Sequence, residues 1–158
     1  MNPYALIALI AFLSYLALGY LVLLLDSKRP LNQIFFLYSL AAAAYSFSEF
    51  GYLQAESYAT AWLWIKVRSI WPFTFATALH FHLWFTKRSF WIQNPGRLIL
   101  IYAPAILIAC IDLFTNRLSG NPVFRYDVWG YDPPTDSICP TVAGLYGLFY
   151  TLIMVALV

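Results

Sequence analysis

The chain has 158 residues, of which 62% are apolar, 20% are aromatic and 10% are charged. A soluble domain carries about 25% charged residues because its surface faces water, and so short a chain cannot hide this much apolar surface inside itself. The formal net charge of +2, without a Lys/Arg stripe, gives no basis for a nucleic-acid partner. The composition excludes a soluble domain and predicts an all-α protein whose partner is the lipid bilayer.

Charges, prolines and turn residues divide the chain into five apolar segments. We predict that each is a helix, because hydrocarbon offers the backbone no hydrogen-bond partners and a helix satisfies its own. About 20 residues cross a membrane core, a length that the first three segments exceed and the fourth does not reach. In a single membrane domain, 1–158, the predicted helices are approximately 3–25, 31–53, 61–85, 98–114 and 141–158, with an outer loop at 115–140.

The basic residues of the loops set the expected orientation. With the N-terminus outside, the two inner loops (26–30 and 86–97) contain five Lys or Arg residues, whereas the two outer loops contain two. No basic residue precedes the first segment, and Lys28 and Arg29 follow it, which is typical of an uncleaved anchor rather than of a signal peptide. We therefore expect a multi-pass protein of the cell membrane with its N-terminus outside.

The last apolar segment reaches Val158 without a basic residue or a loop after it. The 18 residues from Thr141 fall slightly short of a comfortable span. We interpret this ending as a truncated bundle. The alternative is a complete five-helix protein whose C-terminus lies at the membrane interface.

Three charged residues, Glu49, Lys66 and Arg68, lie inside the predicted second and third helices. A charge at the centre of a bilayer costs about 2.5 to 3.5 kcal/mol, so buried charges are expected to pair. The two helices form a hairpin in which these side chains lie at matching depths of roughly 6 to 10 Å. We expect a neutral pair between Glu49 and Arg68 or Lys66; alternatively, Lys66 extends to the interface.

Aromatic residues and a proline surround Arg68 in the sequence. Trp64 and Trp71 lie at i−4 and i+3, on the face of the helix where indole rings can receive a guanidinium. Pro72 is expected to kink the helix. The alternative to a functional site is a purely structural ion pair. The candidate ligand or switch residues are Glu49, Lys66, Arg68, Trp64, Trp71, Pro72 and Trp129.

The loop at 115–140 is the long polar stretch of the chain, and it also carries aromatic residues. Ordering such a loop costs conformational entropy unless its rings find a surface to pack on. We expect the loop to fold over the helix ends as a lid that includes a short hairpin. The alternative is an interfacial aromatic anchor that binds nothing. Its aromatic residues are Phe124, Tyr126, Trp129 and Tyr131.

No catalytic, metal or cofactor site is predicted. His80 and His82 point about 200° apart on a helix and cannot share one ion, so we interpret them as membrane-interface residues. The sequence contains no serine elbow, phosphate loop or zinc motif, and we expect no catalysis in this segment. Cys110 and Cys139 both fall near the outer face, where a disulfide is chemically allowed. Because Cys110 lies deep in its helix, the sequence does not decide whether the two cysteines are bonded.

Three stretches taken together resemble a known family. The third helix, WLWIKVRSIWPFTFATALHFHLWF, has a Trp, a basic residue, a mid-helix proline and a Phe-rich second half; the fourth helix ends in a Thr-Asn turn; and the loop contains VWGYDPP. In this order, over most of 30–140, they resemble the N-terminal seven-helix membrane region of sensor histidine kinases and of some diguanylate cyclases. The matching positions are Trp62, Arg68, Pro72, Phe81, Thr115 and Asn116.

The resemblance implies a membrane-embedded input module that passes a stimulus to a cytoplasmic output domain, with a small-molecule ligand and a homodimer as further partners. Seven helices would bring the C-terminus inside, which agrees with the orientation expected from the basic residues. The sixth and seventh helices and a phosphorylatable kinase region are absent from these 158 residues, so this segment by itself is not expected to be a kinase. The alternative function is a small five-helix membrane ligand-binding protein or carrier.

Overall fold

The computed structural model describes residues 2–88, 90, 93–115, 117–125, 128–132 and 139–157. Within these ranges the chain forms six α-helices and one antiparallel β-hairpin. A 3-10 turn, Arg68–Ile70, joins α3 to α4, and the two helices together occupy the place of the predicted third helix. The elements are α1 Pro3–Leu25, α2 Pro30–Leu53, α3 Tyr58–Val67, α4 Pro72–Phe85, α5 Pro95–Phe114, β1 Asn121–Arg125, β2 Val128–Asp132 and α6 Cys139–Ala156.

Local sequence explains where the helices begin. The side chains of Asn2, Ser57 and Asn94 accept hydrogen bonds from N–H groups in the first turns of α1, α3 and α5, which have no partner within the helix. Proline occupies the start of α1, α2, α4 and α5, where no donor is needed. These caps explain why α3 begins at Tyr58 and α5 at Pro95, earlier than the predicted 61 and 98.

The sequence predicts a kink at Pro72, and the structure has a 3-10 turn directly before this residue that divides the predicted third helix into α3 and α4. Pro72 has no N–H, and the Arg68 carbonyl accepts a hydrogen bond from the Trp71 N–H at 3.0 Å instead, which makes the 3-10 turn. The Pro72 carbonyl also accepts a hydrogen bond from the Tyr146 hydroxyl of α6 at 2.8 Å. The interruption is therefore held against a neighbouring helix, and Arg68 leaves the regular helix at this point.

Small residues let α1 and α2 approach closely. A Cβ atom on Gly19 would lie 2.6 Å from the Ser39 Cβ, so the contact requires glycine. Ala5 of α1 and Ala43 of α2 are buried in the described structure. Small residues at helix interfaces are the usual means by which membrane helices pack closely.

The main apolar core lies among α4, α5 and α6. The Tyr150 hydroxyl donates a hydrogen bond to the Ile101 carbonyl, which links α6 to α5. His80 and the Tyr102 hydroxyl share a hydrogen bond of 2.9 Å between α4 and α5. His80 is therefore half-buried between α4 and α5, a contact that the sequence did not predict. The buried cluster consists of Ala76, Leu79, Leu83, Ala105, Ile108, Tyr146 and Tyr150.

The outer surface of the bundle is apolar. In the part of the chain that the structure describes, three helices are long and apolar enough to cross a membrane: Pro3–Leu25, Pro30–Leu53 and Pro95–Phe114. A shorter apolar helix spans Thr141–Ala156. Large side chains such as Ile7 and Leu107 are 65% and 62% exposed, and a continuous surface of this kind is stable only against lipid. The fold is an all-α membrane bundle.

Candidate functional site

An ion pair joins the interrupted helix to α2. The Nε atom of Arg68 lies 2.6 Å from the Glu49 Oε1 atom, and the two side chains are 13% and 21% exposed. Glu49 lies about one turn before the end of α2. Of the two partners predicted for Glu49, the structure selects Arg68. The pair has no net charge, as a poorly solvated environment requires.

Two tyrosines complete the surroundings of the guanidinium. Its Nη2 atom donates hydrogen bonds to the Tyr45 hydroxyl at 3.2 Å and to the Tyr131 hydroxyl at 2.9 Å. The ring centroids of these tyrosines lie 5.5 and 4.2 Å from the Arg68 Cζ atom, within the range of a cation–π interaction. The predicted stacking of Trp64 and Trp71 on Arg68 is wrong, because in the described residues tyrosines take that place.

Trp64 and Trp71 pack on other partners. Trp64 lies directly over Gly51 of α2, where even one additional methyl group would collide with its ring. Trp71 lies edge-on to Phe75 and to Tyr146, with ring centroids 6.1 and 5.7 Å apart. Trp64 therefore fills the interface between α2 and α3, whereas Trp71 faces α6.

Strands β1 and β2 form a hairpin, here called the roof, that covers the adjacent ends of α2 and α3. The Tyr131 ring lies edge-on to Tyr52 of α2 with 6.4 Å between centroids. The Trp129 ring meets Tyr58, the first residue of α3, at 6.2 Å. The hairpin and the lid expected from the loop are both present, and aromatic contacts attach them to the helices.

Lys66 belongs to a second polar cluster. Its Nζ atom donates hydrogen bonds to the carbonyls of Asp112 and Thr115 at 2.8 and 2.6 Å, and the residue is 6% exposed. Carbonyl groups at the end of a helix have no N–H partner within it, and a cation there interacts favourably with the helix dipole. Lys66 therefore does not pair with Glu49, and its ammonium group is buried against the C-terminal end of α5.

Asp112 was not among the predicted site residues. Its side chain is fully buried and its two carboxylate oxygens accept hydrogen bonds from the Ser119 N–H and from the Ser119 hydroxyl, both at 2.9 Å. Ser119 lies two residues before β1, so this contact fastens the start of the roof to α5. The sequence signal for it is a single carboxylate in the otherwise apolar stretch 98–114.

A cavity of about 500 Å³ lies beneath the roof. This volume falls within the roughly 300–1,000 Å³ of small-molecule sites. Arg68 and Trp71 are the predicted site residues that line it, while Glu49 pairs with Arg68. Phe75 and Ala143 line it without having been predicted, because helical spacing does not reveal which helices become neighbours. The lining residues are Tyr45, Arg68, Trp71, Thr74, Phe75, Leu118, Ser119, Tyr131 and Ala143.

Of the two cysteines, Cys110 is free and exposed on α5. The side chain of Cys139 lies outside the described residues, as do Asn116, Tyr126 and residues 133–138 of the predicted lid and motifs.

A bundle of long apolar helices with a mainly apolar cavity under a hairpin defines a helical membrane protein with a candidate small-molecule site. The family described as the N-terminal 7TM region of histidine kinase matches residues 6–158. The chain belongs to this family, which confirms the resemblance seen in its sequence motifs. Comparisons with curated proteins and with solved structures found no match.

Proposed function

We propose that the chain is the membrane-embedded signal-input module of a sensor histidine kinase and that it passes a stimulus to a cytoplasmic output domain. The observation that carries this proposal is the position of Arg68. It contacts α2 through Glu49 and Tyr45, it contacts the roof through Tyr131, and it lines the cavity. A ligand in the cavity, or a displacement of the roof, therefore acts on the residue at which the helix is interrupted.

The interrupted helix offers a route across the membrane. A stimulus changes a two-state protein only by interacting differently with the two states, and the contacts of Arg68 differ when the roof or Glu49 moves. A shift at the 3-10 turn is passed to α4 and, through the hydrogen bond between Tyr146 and Pro72, to α6. In the orientation that we propose, the N-terminus and roof are outside the cell membrane and α4 ends at the cytoplasmic face.

The same proposal includes the remaining partners of such a receptor. The cavity receives a small-molecule ligand, the output domain lies outside this chain, and two copies act as a homodimer. Glu49 and Arg68 form the switch, Tyr131 couples it to the roof, and Pro72 supplies the hinge. Trp64, Trp129 and Lys66 act indirectly, because they hold α2, the roof and α5 in place.

The test uses the polypeptide encoded by the natural gene, assayed for histidine autophosphorylation in membrane vesicles. Tyr131→Ala removes the contact of the roof with Arg68 and is expected to change phosphorylation severalfold. Arg125→Ala is the matched control, because it removes only a pair with Asp132 that is 63% and 50% exposed and contributes little. An encoded protein without an output domain would overturn the proposal, as would unchanged output from correctly inserted Tyr131→Ala protein.

The alternative is a small five-helix ligand-binding protein or carrier, and the 500 Å³ cavity would serve it equally well. The two functions differ in what accompanies the membrane region. A carrier is expected to move its ligand across a proteoliposome membrane, whereas a sensor binds the ligand without transporting it. Transport of a bound compound, together with a gene that encodes no signalling domain, would favour the carrier.

A further inference from the structure

We infer that the cavity beneath the roof takes an uncharged amphiphile, a compound with a ring or short alkyl body and a carbonyl or hydroxyl oxygen at one end. Its role as a stimulus rests on the proposed function, but its binding does not. Three features of the cavity carry the inference: its balanced charge, the hydrogen-bonding groups at its polar wall and the aromatic rings of its apolar wall.

The charge at the cavity is already balanced. Arg68 is the cation among the described lining residues, and the Glu49 carboxylate lies 2.6 Å from it. A ligand carboxylate that displaced Glu49 would leave that residue as an unpaired charge in a poorly solvated place, which is costly. A ligand ammonium would be drawn to the aromatic rings but repelled by the guanidinium at the same wall. Both kinds of charged ligand are therefore disfavoured.

The polar wall offers both a donor and an acceptor to a neutral head group. The Tyr131 hydroxyl accepts a hydrogen bond from Arg68 at 2.9 Å, so its own hydrogen remains to be donated. The Thr74 hydroxyl donates to the Trp71 carbonyl at 2.7 Å, so its oxygen remains to accept. A carbonyl oxygen can use the first group, and a hydroxyl can use both.

The apolar wall fits a ring. Trp71 and Phe75 lie edge-on to each other, with an interplanar angle of 90°, and both line the cavity together with Leu118. An aromatic guest can stack on one of two perpendicular rings while it meets the other edge-on, and both are preferred geometries of aromatic contacts. A fused-ring compound fits within about 500 Å³.

The experiment measures the binding of four matched naphthalene compounds by titration calorimetry, with the full chain in lipid nanodiscs and protein-free nanodiscs as the blank. The compounds are a neutral ketone (acetylnaphthalene), an anion (naphthoate), a cation (naphthylmethylammonium) and a hydrocarbon (ethylnaphthalene). We expect the ketone to bind about fivefold more tightly than the hydrocarbon, as one hydrogen bond predicts. The two ions are expected to bind more weakly than the hydrocarbon.

Two neighbouring residues of α6 provide a matched pair of variants. Ala143→Trp fills the cavity and is expected to abolish binding of the ketone. Val142→Trp places the same ring at the adjacent position, which is 42% exposed and outside the lining, and is expected to leave binding unchanged. Tyr131→Phe removes only a hydroxyl and is expected to bring the ratio of the ketone affinity to the hydrocarbon affinity close to one. Tyr131→Phe keeps the inference testable even if Ala143→Trp does not fold.

Three outcomes would overturn the inference: tighter binding of naphthoate or of the ammonium than of the ketone, equal binding by Ala143→Trp and Val142→Trp, or no binding above the blank by any of the compounds. Each outcome concerns the ligand class. Failure of the sensor proposal appears separately, as autophosphorylation that does not respond to Tyr131→Ala. If the protein binds the ketone but its gene encodes no output domain, the ligand site is supported and the receptor function is not.

Discussion

The Arg68 guanidinium and the Tyr131 hydroxyl are 63 residues apart in sequence and 2.9 Å apart in the structure. The same guanidinium holds the Glu49 carboxylate at 2.6 Å. One side chain at the interruption between α3 and α4 thus contacts both a membrane helix and the roof. Arg68 is the first residue of the 3-10 turn, so in the receptor that we propose a change in either contact acts on this turn.

Replacing Glu49 by Gln is expected to destabilise the bundle, because Arg68 would keep its charge without a counter-ion. Breaking a fully buried pair costs about 3–5 kcal/mol, and partial exposure reduces this to about 2 kcal/mol here. The free energy of unfolding in detergent, followed by circular dichroism, measures the loss. The double variant Glu49→Gln/Arg68→Gln is expected to lose less than the sum of the two single variants. Additive losses would show that the two side chains are not coupled.

Replacing Gly19 by Ala is expected to separate α1 from α2. The new Cβ atom would lie 2.6 Å from the Ser39 Cβ, and such overpacking costs about 1–3 kcal/mol. Gly144→Ala is the control, since nothing lies within 4 Å of its Cβ position and alanine stabilises a helix by roughly 0.5–1 kcal/mol relative to glycine. The added variant Ser39→Gly is expected to restore the stability of Gly19→Ala. Thermal unfolding of the purified proteins measures all three, and equal effects at the two glycines would contradict the close approach.

The partners of Glu49 and Lys66 show what the sequence can and cannot predict. The pairing of Glu49 with Arg68 follows from one short helical hairpin, in which depth is fixed by counting residues from a shared turn. The partner of Lys66 lies 46 residues away on α5, and no periodicity within α3 indicates which helix will be its neighbour. The sequence therefore predicted a pair of Glu49 with Arg68 or Lys66 and a kink at Pro72, but it did not predict the contact of Lys66 with α5.

The aromatic residues around Arg68 illustrate the same limit. Helical spacing places Trp64 and Trp71 on one side of the predicted third helix, but it does not show that Gly51 leaves room for the Trp64 ring on α2. Nor does it show that the roof brings Tyr131 within 2.9 Å of the guanidinium. Local spacing limits which side chains can meet, and tertiary packing decides which of them do.

Replacing Asp112 by Asn is expected to loosen the start of the roof. The carboxylate accepts two hydrogen bonds from Ser119. The side-chain amide of the Asp112→Asn variant has only one acceptor oxygen and carries no negative charge near Lys66. Disturbing a buried charged hydrogen bond costs about 1–3 kcal/mol. Hydrogen exchange of a peptide covering 117–125 is expected to accelerate markedly. Asp132→Asn, in a pair that is 50% exposed at the carboxylate, is the control, and equal exchange in the two variants would remove the role assigned to Asp112.

The expected orientation can be tested with single cysteines introduced into a chain whose Cys110 and Cys139 have been replaced by Ser. Phe124→Cys lies on the roof, where the native side chain is 55% exposed, and Lys28→Cys lies in the exposed turn between α1 and α2. With the N-terminus outside, a membrane-impermeant maleimide is expected to label Phe124→Cys on intact cells and Lys28→Cys only after permeabilisation.

The charge distribution gives the physical reason for this expectation, because loops rich in Lys and Arg are retained in the cytoplasm. The turn after α1 contains Lys28 and Arg29, and α1 and α2 each have the length to cross the membrane. If α2 crosses the membrane, the roof at its C-terminal end and Lys28 before its N-terminal end are expected on opposite sides. Labelling of Lys28→Cys on intact cells would invert the orientation and place the cavity at the cytoplasmic face, where it would meet soluble metabolites instead of compounds arriving from outside. Such a result would leave the contacts of Arg68 intact but would change the source of the ligand they recognise.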